Sequence, residues 1–434
     1  MSLPSDARPP SRWQLILGGA LLTCAAAMLA LPGQRPPADA RAIILSDSDG
    51  LIEQVVCNVN SARHAALRNA ELFSHIVNAL PARVELITLT NDRAAFTITS
   101  NPHPDRLHFV DLPADHDFTI WTQDPFVVLR EPGGSMRLAV PADFERADDH
   151  ATTDRLSAHL GAPVERSDLY FEGGNIVADD RHVFIGADTI ARNMLEHEAD
   201  AETIVRRFAA LFGRTVLVVG PSPQPVGHID MILTPLGEGR LMLADPGAGA
   251  QLAEDALAAQ PQAVADFEQR CERMFFGDPS IRELIGPGGQ PIRPPDVTGA
   301  TPGAVADSRS IAETYDRLAE QLAKRGYEVH RVPFLHTAPQ IARDEEPPVE
   351  AAAALAAPGP GYPVLTYNNV LLERTDQAGT VYLPVYGFDV LDRAAAQAWA
   401  EAGFEVRAVP GLTTSAMYGG ALRCCVKVLR RSTH

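Results

Sequence analysis

Cysteine is scarce in this chain, with five in 434 residues. There is no C-x-x-C pair and no zinc-module spacing. Neither a disulfide scaffold nor a structural zinc site is therefore expected. Positive charge is also short: 37 Lys and Arg stand against 55 Asp and Glu, a formal net charge of −18. That balance argues against a nucleic-acid partner, whose phosphates would be repelled. An acidic surface serves solubility and suits a cationic ligand. What remains is ordinary for a soluble globular protein, with 46% apolar and 21% charged residues.

One long apolar run stands out, from Leu15 to Leu31. Arg8 and Arg12 precede it, and a Pro-rich stretch leads to Ala38-Asp39-Ala40. The pattern reads as a secretory signal, although its length also fits a single membrane anchor. Thr23 before Cys24 is a poor match to a lipoprotein site. Residues 1–40 are thus expected to export the chain to a periplasm or cell surface, cleaved or anchored. Residues 41–434 are expected to form one catalytic domain.

Beyond the leader, a strand-strand-helix-strand unit recurs. The clearest copy starts at Leu365, where LTYNNVLLE and VYLPVYG are β-rich. A helix follows from Asp389 to a stop at Gly403, then FEVRAVP. Other copies begin at Phe118, at Tyr170 with a helix roughly over 194–212, and at Gly227, the last interrupted by an insertion at 250–306 expected to be helical early and loop-like late. A connection at 338–362 follows it. The fifth copy is split: AMYGGALRCCVKVL ends the chain, while RAIILSD, a helix over 61–80 and RVELITLT begin it. Five units shared across both ends imply a closed α/β ring, a five-bladed propeller whose last strand pairs with the N-terminal unit.

The polar residues able to do chemistry fall on the first strand of each unit: Asp124, Glu172, His228 with Asp230, Asn369, and Cys424. Each alone has a plain structural explanation: a turn aspartate, a loop cap, a satisfied core histidine, a buried cysteine. His228 and Asp230 are harder to dismiss, because alternation puts both on one face of an apolar strand. Buried charge needs a partner, and a cationic ligand is one answer. Paired carboxylates clamp a planar guanidinium. A thiolate attacks its carbon, a histidine shuttles the proton, and an acid orients the histidine.

At WTQD (121–124), FEGGNIVADDRHVFIG (171–186), GHID (227–230), TYNNV with VYLPVYG (366–387) and GGALRC (419–424), the sequence resembles the guanidine-modifying superfamily, the penteins. The likeness is to the branch of bacterial-type peptidylarginine and agmatine deiminases. It implies Cys424 as nucleophile, His228 as general acid and base, and Glu172 as its partner. Asp124 and Asp230 are then the guanidinium ligands, with Trp121, Asn369 and Arg423 lining the substrate. It implies neither metal nor cofactor, and dimerisation by analogy. Arg423 before the cysteine is expected to lower the thiol pKa. Val426 departs from the usual Ser or Thr. Cys425 competes as nucleophile, but strand alternation should turn it into the apolar layer. An amidinotransferase and a catalytically silent binding protein are the alternatives to a deiminase.

Overall fold

The structure is a computed structural model that describes residues 42–59, 69–93, 103–116, 118–144, 146–285, 291–337 and 362–432. The leader, residues 61–68 of the expected first helix and the connection at 338–361 lie outside the described residues. No helix among the described residues is long and apolar enough to cross a membrane.

The architecture is mixed α/β. Numbering strands in chain order, one sheet joins β5 (Val127–Arg130), β6 (Met136–Val140) and β7 (Val164–Arg166). The next joins β8 (Ile176–Ala178), β9 (His182–Gly186) and β10 (Thr215–Val219). The third joins β11 (Leu233–Gly237), β12 (Arg240–Asp245) and β15 (Glu328–Pro333). The fourth joins β16 (Leu371–Arg374), β17 (Gly379–Pro384) and β18 (Phe404–Val409). The last brings the chain ends together, β19 (Lys427–Arg431) against β2 (Ile52–Val59), then β3 (Glu85–Thr90) and β4 (Leu107–Asp111). In all five, the first strand runs antiparallel to the second and the second parallel to the third. The recurring unit read from the sequence is therefore present five times, although no single sheet closes on itself.

Local chemistry explains the helices between the parallel strands. Asp200 caps helix Ala201–Phe212 by accepting from Thr203 N at 2.7 Å, and Gly213 ends it at φ 65°. Pro246 opens helix Pro246–Ala259 beneath the Asp245 cap. These helices bury one face on their sheet. Phe208 and Phe212 stack at 5.7 Å between ring centroids and meet Phe171 edge-on. On the fourth unit Trp399 is fully buried, and its indole N–H donates to Tyr367 O at 2.9 Å.

Some expectations need correction. The strand RAIILSD does not enter the closing sheet: β1 (Ile43–Ile44) pairs antiparallel with β5. The closing sheet instead takes β2, a run the repeat had not included. The single helix expected over 194–212 is two, Ala187–Glu196 and Ala201–Phe212. The insertion is helical early, as expected, but its last residues already belong to the long helix Thr301–Lys324, which packs on Pro246–Ala259. A small hairpin joins β13 (Leu284–Ile285) to β14 (Pro291–Ile292).

Phe208 is fully buried among Phe171, Phe212 and the apolar residues of β9 and β10. Its truncation removes transfer energy and leaves a cavity. Phe208→Ala is expected to destabilise the protein by about 3–5 kcal/mol. A shift in the chemical denaturation midpoint worth less than about 1 kcal/mol would contradict this packing.

Candidate active site

The candidate residues do not lie on strands. Each sits in the short segment that enters the first strand of its sheet. Asp124 is in a turn before β5, Glu172 precedes a 3-10 turn before β8, and His228 and Asp230 flank and occupy another before β11. Asn369 immediately precedes β16, and Cys424 lies in the helical turn Leu422–Cys425 before β19. Alternation along G-H-I-D therefore does not set the facing of His228 and Asp230, because a 3-10 turn carries them.

These five segments are tied to one another by a closed circuit of hydrogen bonds. Gln123 N donates to Cys424 O at 3.1 Å, and Thr122 Oγ1 to Cys425 O at 3.2 Å. Gly173 N donates to Asp124 O at 2.9 Å, and Gln123 Nε2 returns to Gly173 O at 3.0 Å. Asn175 Oδ1 accepts from Ile229 N at 3.1 Å. Thr366 Oγ1 donates to Met231 O at 2.5 Å, and Thr234 Oγ1 to Asn368 O at 2.6 Å. Cys424 N donates to Asn369 Oδ1 at 3.0 Å, which closes the circuit. Residues more than 300 positions apart are thus neighbours.

Within the circuit, His228 Nε2 lies 2.6 Å from Glu172 Oε2, and its Nδ1 lies 3.6 Å from Asp124 Oδ1. Burial alone would lower the imidazole pKa; Asp124 and Glu172 more than offset it and raise it to about 9. Burial likewise opposes ionisation of Glu172, but the charge and hydrogen bond of His228 bring its pKa down to about 2. The pair is an imidazolium–carboxylate at neutral pH. The contribution of His228 to stability is complete below its ordinary value of 6.5 and fades as pH rises through about 9, while that of Glu172 is present above 4.5 and is lost as pH falls through about 2. Gly174 lets the ring approach: a Cβ there would stand 2.4 Å from His228 Nδ1.

Cys424 is buried, and Asn369 Nδ2 donates to its Sγ at 3.2 Å. Burial first, then the charges of Asp230 and Asp124, push the thiol well above its ordinary value. The expectation that Arg423 would hold it low is not met. The guanidinium of Arg423 is engaged elsewhere: Nη1 donates to Asp230 Oδ2 at 2.8 Å, and Nη2 to Asp47 Oδ1 at 2.9 Å and Ile176 O at 3.1 Å. It stands behind Asp230. Cys425 does pack into the apolar core, as expected, though a helical turn rather than strand alternation puts it there. Trp121 is half-buried against the same core, beside Gly420.

The two aspartates are alike in a way the sequence did not disclose. Asp230 is wholly buried, and Arg423 takes its Oδ2. Asp124 is also buried, and Arg146 takes its Oδ2 at 2.7 Å while its own Nε meets Asp149 at 2.7 Å. On both, Oδ1 is buried and accepts no hydrogen bond among the described residues. A buried carboxylate oxygen without a donor is costly. Arg146, Asp149, Asp47 and Asn175 were missed because single charged or amide residues in loops carry no period. No cluster of His, Cys, Asp and Glu able to hold a metal occurs among the described residues.

The chain matches no protein-family model and no curated protein. Solved structures do resemble it. An agmatine deiminase of C. jejuni superposes with a TM-score of 0.53 at 12% identity, over 91% of this chain and 97% of that one. An agmatine deiminase of Enterococcus faecalis gives 0.55 at 12%, over 92% and 100%. A candidate peptidyl-arginine deiminase gives 0.56 at 12%, over 91% and 100%. At such identities the likeness is one of fold, and the fold is the pentein fold that the sequence resemblance implied.

Replacing Glu172 by Gln removes a charge and the acceptor that favours the imidazolium. In Glu172→Gln, the His228 pKa is expected to fall clearly below about 9, as followed by NMR titration of the ring protons. An unchanged value would mean that Glu172 does not hold this proton.

Proposed function

We propose that the chain is a cysteine-dependent hydrolase that deiminates a guanidinium substrate to a ureido product and ammonia. The observation that carries this is the pair of buried oxygens, Asp124 Oδ1 and Asp230 Oδ1, that accept no hydrogen bond among the described residues and lie near a cysteine. Both carboxylates bear on that thiol. A guanidinium offers N–H groups in one plane to two such acceptors, and its charge balances them. Arg146 and Arg423 fix the carboxylates from behind by their second oxygens. The hydrogen-bond circuit supports a five-bladed ring, with the five sheets standing around this site.

The chemistry follows from the proton inventory. The thiol is protonated before binding, because burial and two carboxylates disfavour its anion. A bound guanidinium adds positive charge at that point, so that the thiol gives up its proton to solvent; the Asn369 amide N–H stabilises the thiolate further. The Cys424 Sγ electron pair then forms a bond to the guanidinium carbon. His228, already an imidazolium, gives its proton to the departing nitrogen, and the C–N bond breaks with loss of ammonia. A thiouronium remains on Cys424. Neutral His228 takes a proton from water and the hydroxide adds to the carbon; the C–S bond then breaks as the new hydroxyl gives its proton to the departing sulfur, which leaves a ureido group and the Cys424 thiol. Every step uses residues of this chain and one water.

The substrate class is peptidyl arginine or a small guanidine such as arginine or agmatine. Export by residues 1–40, cleaved or retained as an anchor, belongs to the same reading and favours the peptidyl form. The test is ammonia and ureido product from an arginyl peptide, free arginine and agmatine. Wild type and Cys425→Ala are expected to turn over, with Cys424→Ala losing activity entirely. Amidino transfer to added glycine or ornithine without ammonia would favour a transferase instead. No turnover of any guanidine would overturn the proposal.

Two further outcomes bear on the mechanism. kcat/KM is expected to rise with pH through neutrality as the thiolate becomes available, and to level off above about 9 as His228 loses its proton. A rate that keeps climbing past pH 10 would remove His228 as the acid. Asn369→Ala should lower kcat/KM about 10- to 100-fold, the worth of one hydrogen bond to a charged acceptor. It should also raise the pH at which iodoacetamide alkylates Cys424, which a purely structural role would not do.

A further inference from the structure

Behind the Cys424 segment lies a cavity of about 30 Å³, on the side facing β5 and β16. Lys427, Arg423 and Arg431 line it, with apolar neighbours such as Ile44, Val128 and Val370. Lys427 and Arg431 are each more than nine-tenths buried. Neither forms an ion pair among the described residues. The Lys427 ammonium has three donors; it gives one to Gln123 O at 3.3 Å and stands over the Phe126 ring, 5.3 Å from its centroid. Arg431 donates to three backbone oxygens, of Leu372, Gly50 and Asp47, while its Nε is buried and unpartnered. The carboxylate that also lines the cavity, Asp47, is already occupied: Oδ1 by Arg423 and Oδ2 by Ala178 N.

Unpaired buried cations are expensive, and a cavity wall of spare N–H donors and methyl groups selects an acceptor. The space holds one or two water-sized particles, too little for a multi-carbon acid. We propose that this cavity is a binding site for a small monovalent anion of halide size, held by the Lys427 ammonium and Arg431 Nε. Burial, and then repulsion by Arg423, lower the Lys427 pKa to about 7; a bound anion restores the charged form. The site is separate from the guanidinium clamp, and Arg423 stands between the two. Through Gln123, which bonds Lys427 by its carbonyl and Cys424 O by its amide, the anion backs the segment that carries the nucleophile.

The test uses the full chain and needs no turnover. Thermal unfolding is followed in sodium chloride, bromide and gluconate at one ionic strength, and crystals are soaked in bromide for anomalous diffraction. The halides are expected to raise Tm saturably by about 1–3 °C over gluconate, which is too large to enter. Lys427→Met should lose that increment. A bromide peak within about 3.5 Å of Lys427 Nζ decides the matter even if Lys427→Met fails to fold. Bromide found only on the outer surface at saturating concentration, with one Tm in all three salts, overturns the proposal.

Discussion

The site rests on a circuit of hydrogen bonds between five segments that are distant along the chain. Each segment is joined to the next by at least one backbone or side-chain link, from Gln123 to Cys424 and onward through Gly173, Asn175, Met231 and Asn369. Buried backbone groups must be paired, so the circuit is as much a condition of burial as a means of positioning. Because each segment leads straight into the first strand of a sheet, five ordinary sheet registers hold it in place. Loss of one link leaves a buried polar group unpaired and shifts a residue that the chemistry needs.

On that frame the charges are arranged in layers. Asp124 and Asp230 each give one oxygen to an arginine of the chain, and the other accepts no hydrogen bond among the described residues. The arginines are in turn anchored by Asp149 and Asp47. A carboxylate fixed in this way cannot rotate to relieve its desolvation, and its open oxygen stays pointed where it is placed. Preorganisation of this kind is what lets a site act on a cation without reorganising at the moment of reaction. The same buried negative charge favours the protonated form of His228 and, together with burial, disfavours the Cys424 thiolate.

Much of this was legible in the sequence. The helix at Asp389–Glu401 and the strand after Gly403 were legible from an acidic first turn and a glycine stop, although Phe388 stands at the cap position and no side chain caps the helix. The ββαβ order was readable because its period switches from two to 3.6 at each unit. What failed did so for identifiable reasons. Two apolar runs, at 43–44 and 52–59, look alike locally, and only their partners decide which sheet each joins. G-H-I-D mimics strand alternation because a 3-10 turn of three residues is too short to show its own period. Arg146 and Asp47 act through contacts with residues far away, and no local pattern marks them. Cys424, His228 and Glu172, the residues proposed here for the chemistry, could be singled out because five modest motifs occur in one order; the arginines behind the aspartates could not.

The account stands or falls on where a guanidinium settles. The direct measurement is a crystal structure of Cys424→Ala with an arginyl peptide or agmatine bound. The account predicts guanidinium N–H groups within hydrogen-bond distance of Asp124 Oδ1 and Asp230 Oδ1, with the carbon facing residue 424. A guanidinium bound elsewhere, or one that displaces Arg146 or Arg423 from the aspartates to find its acceptors, would contradict it.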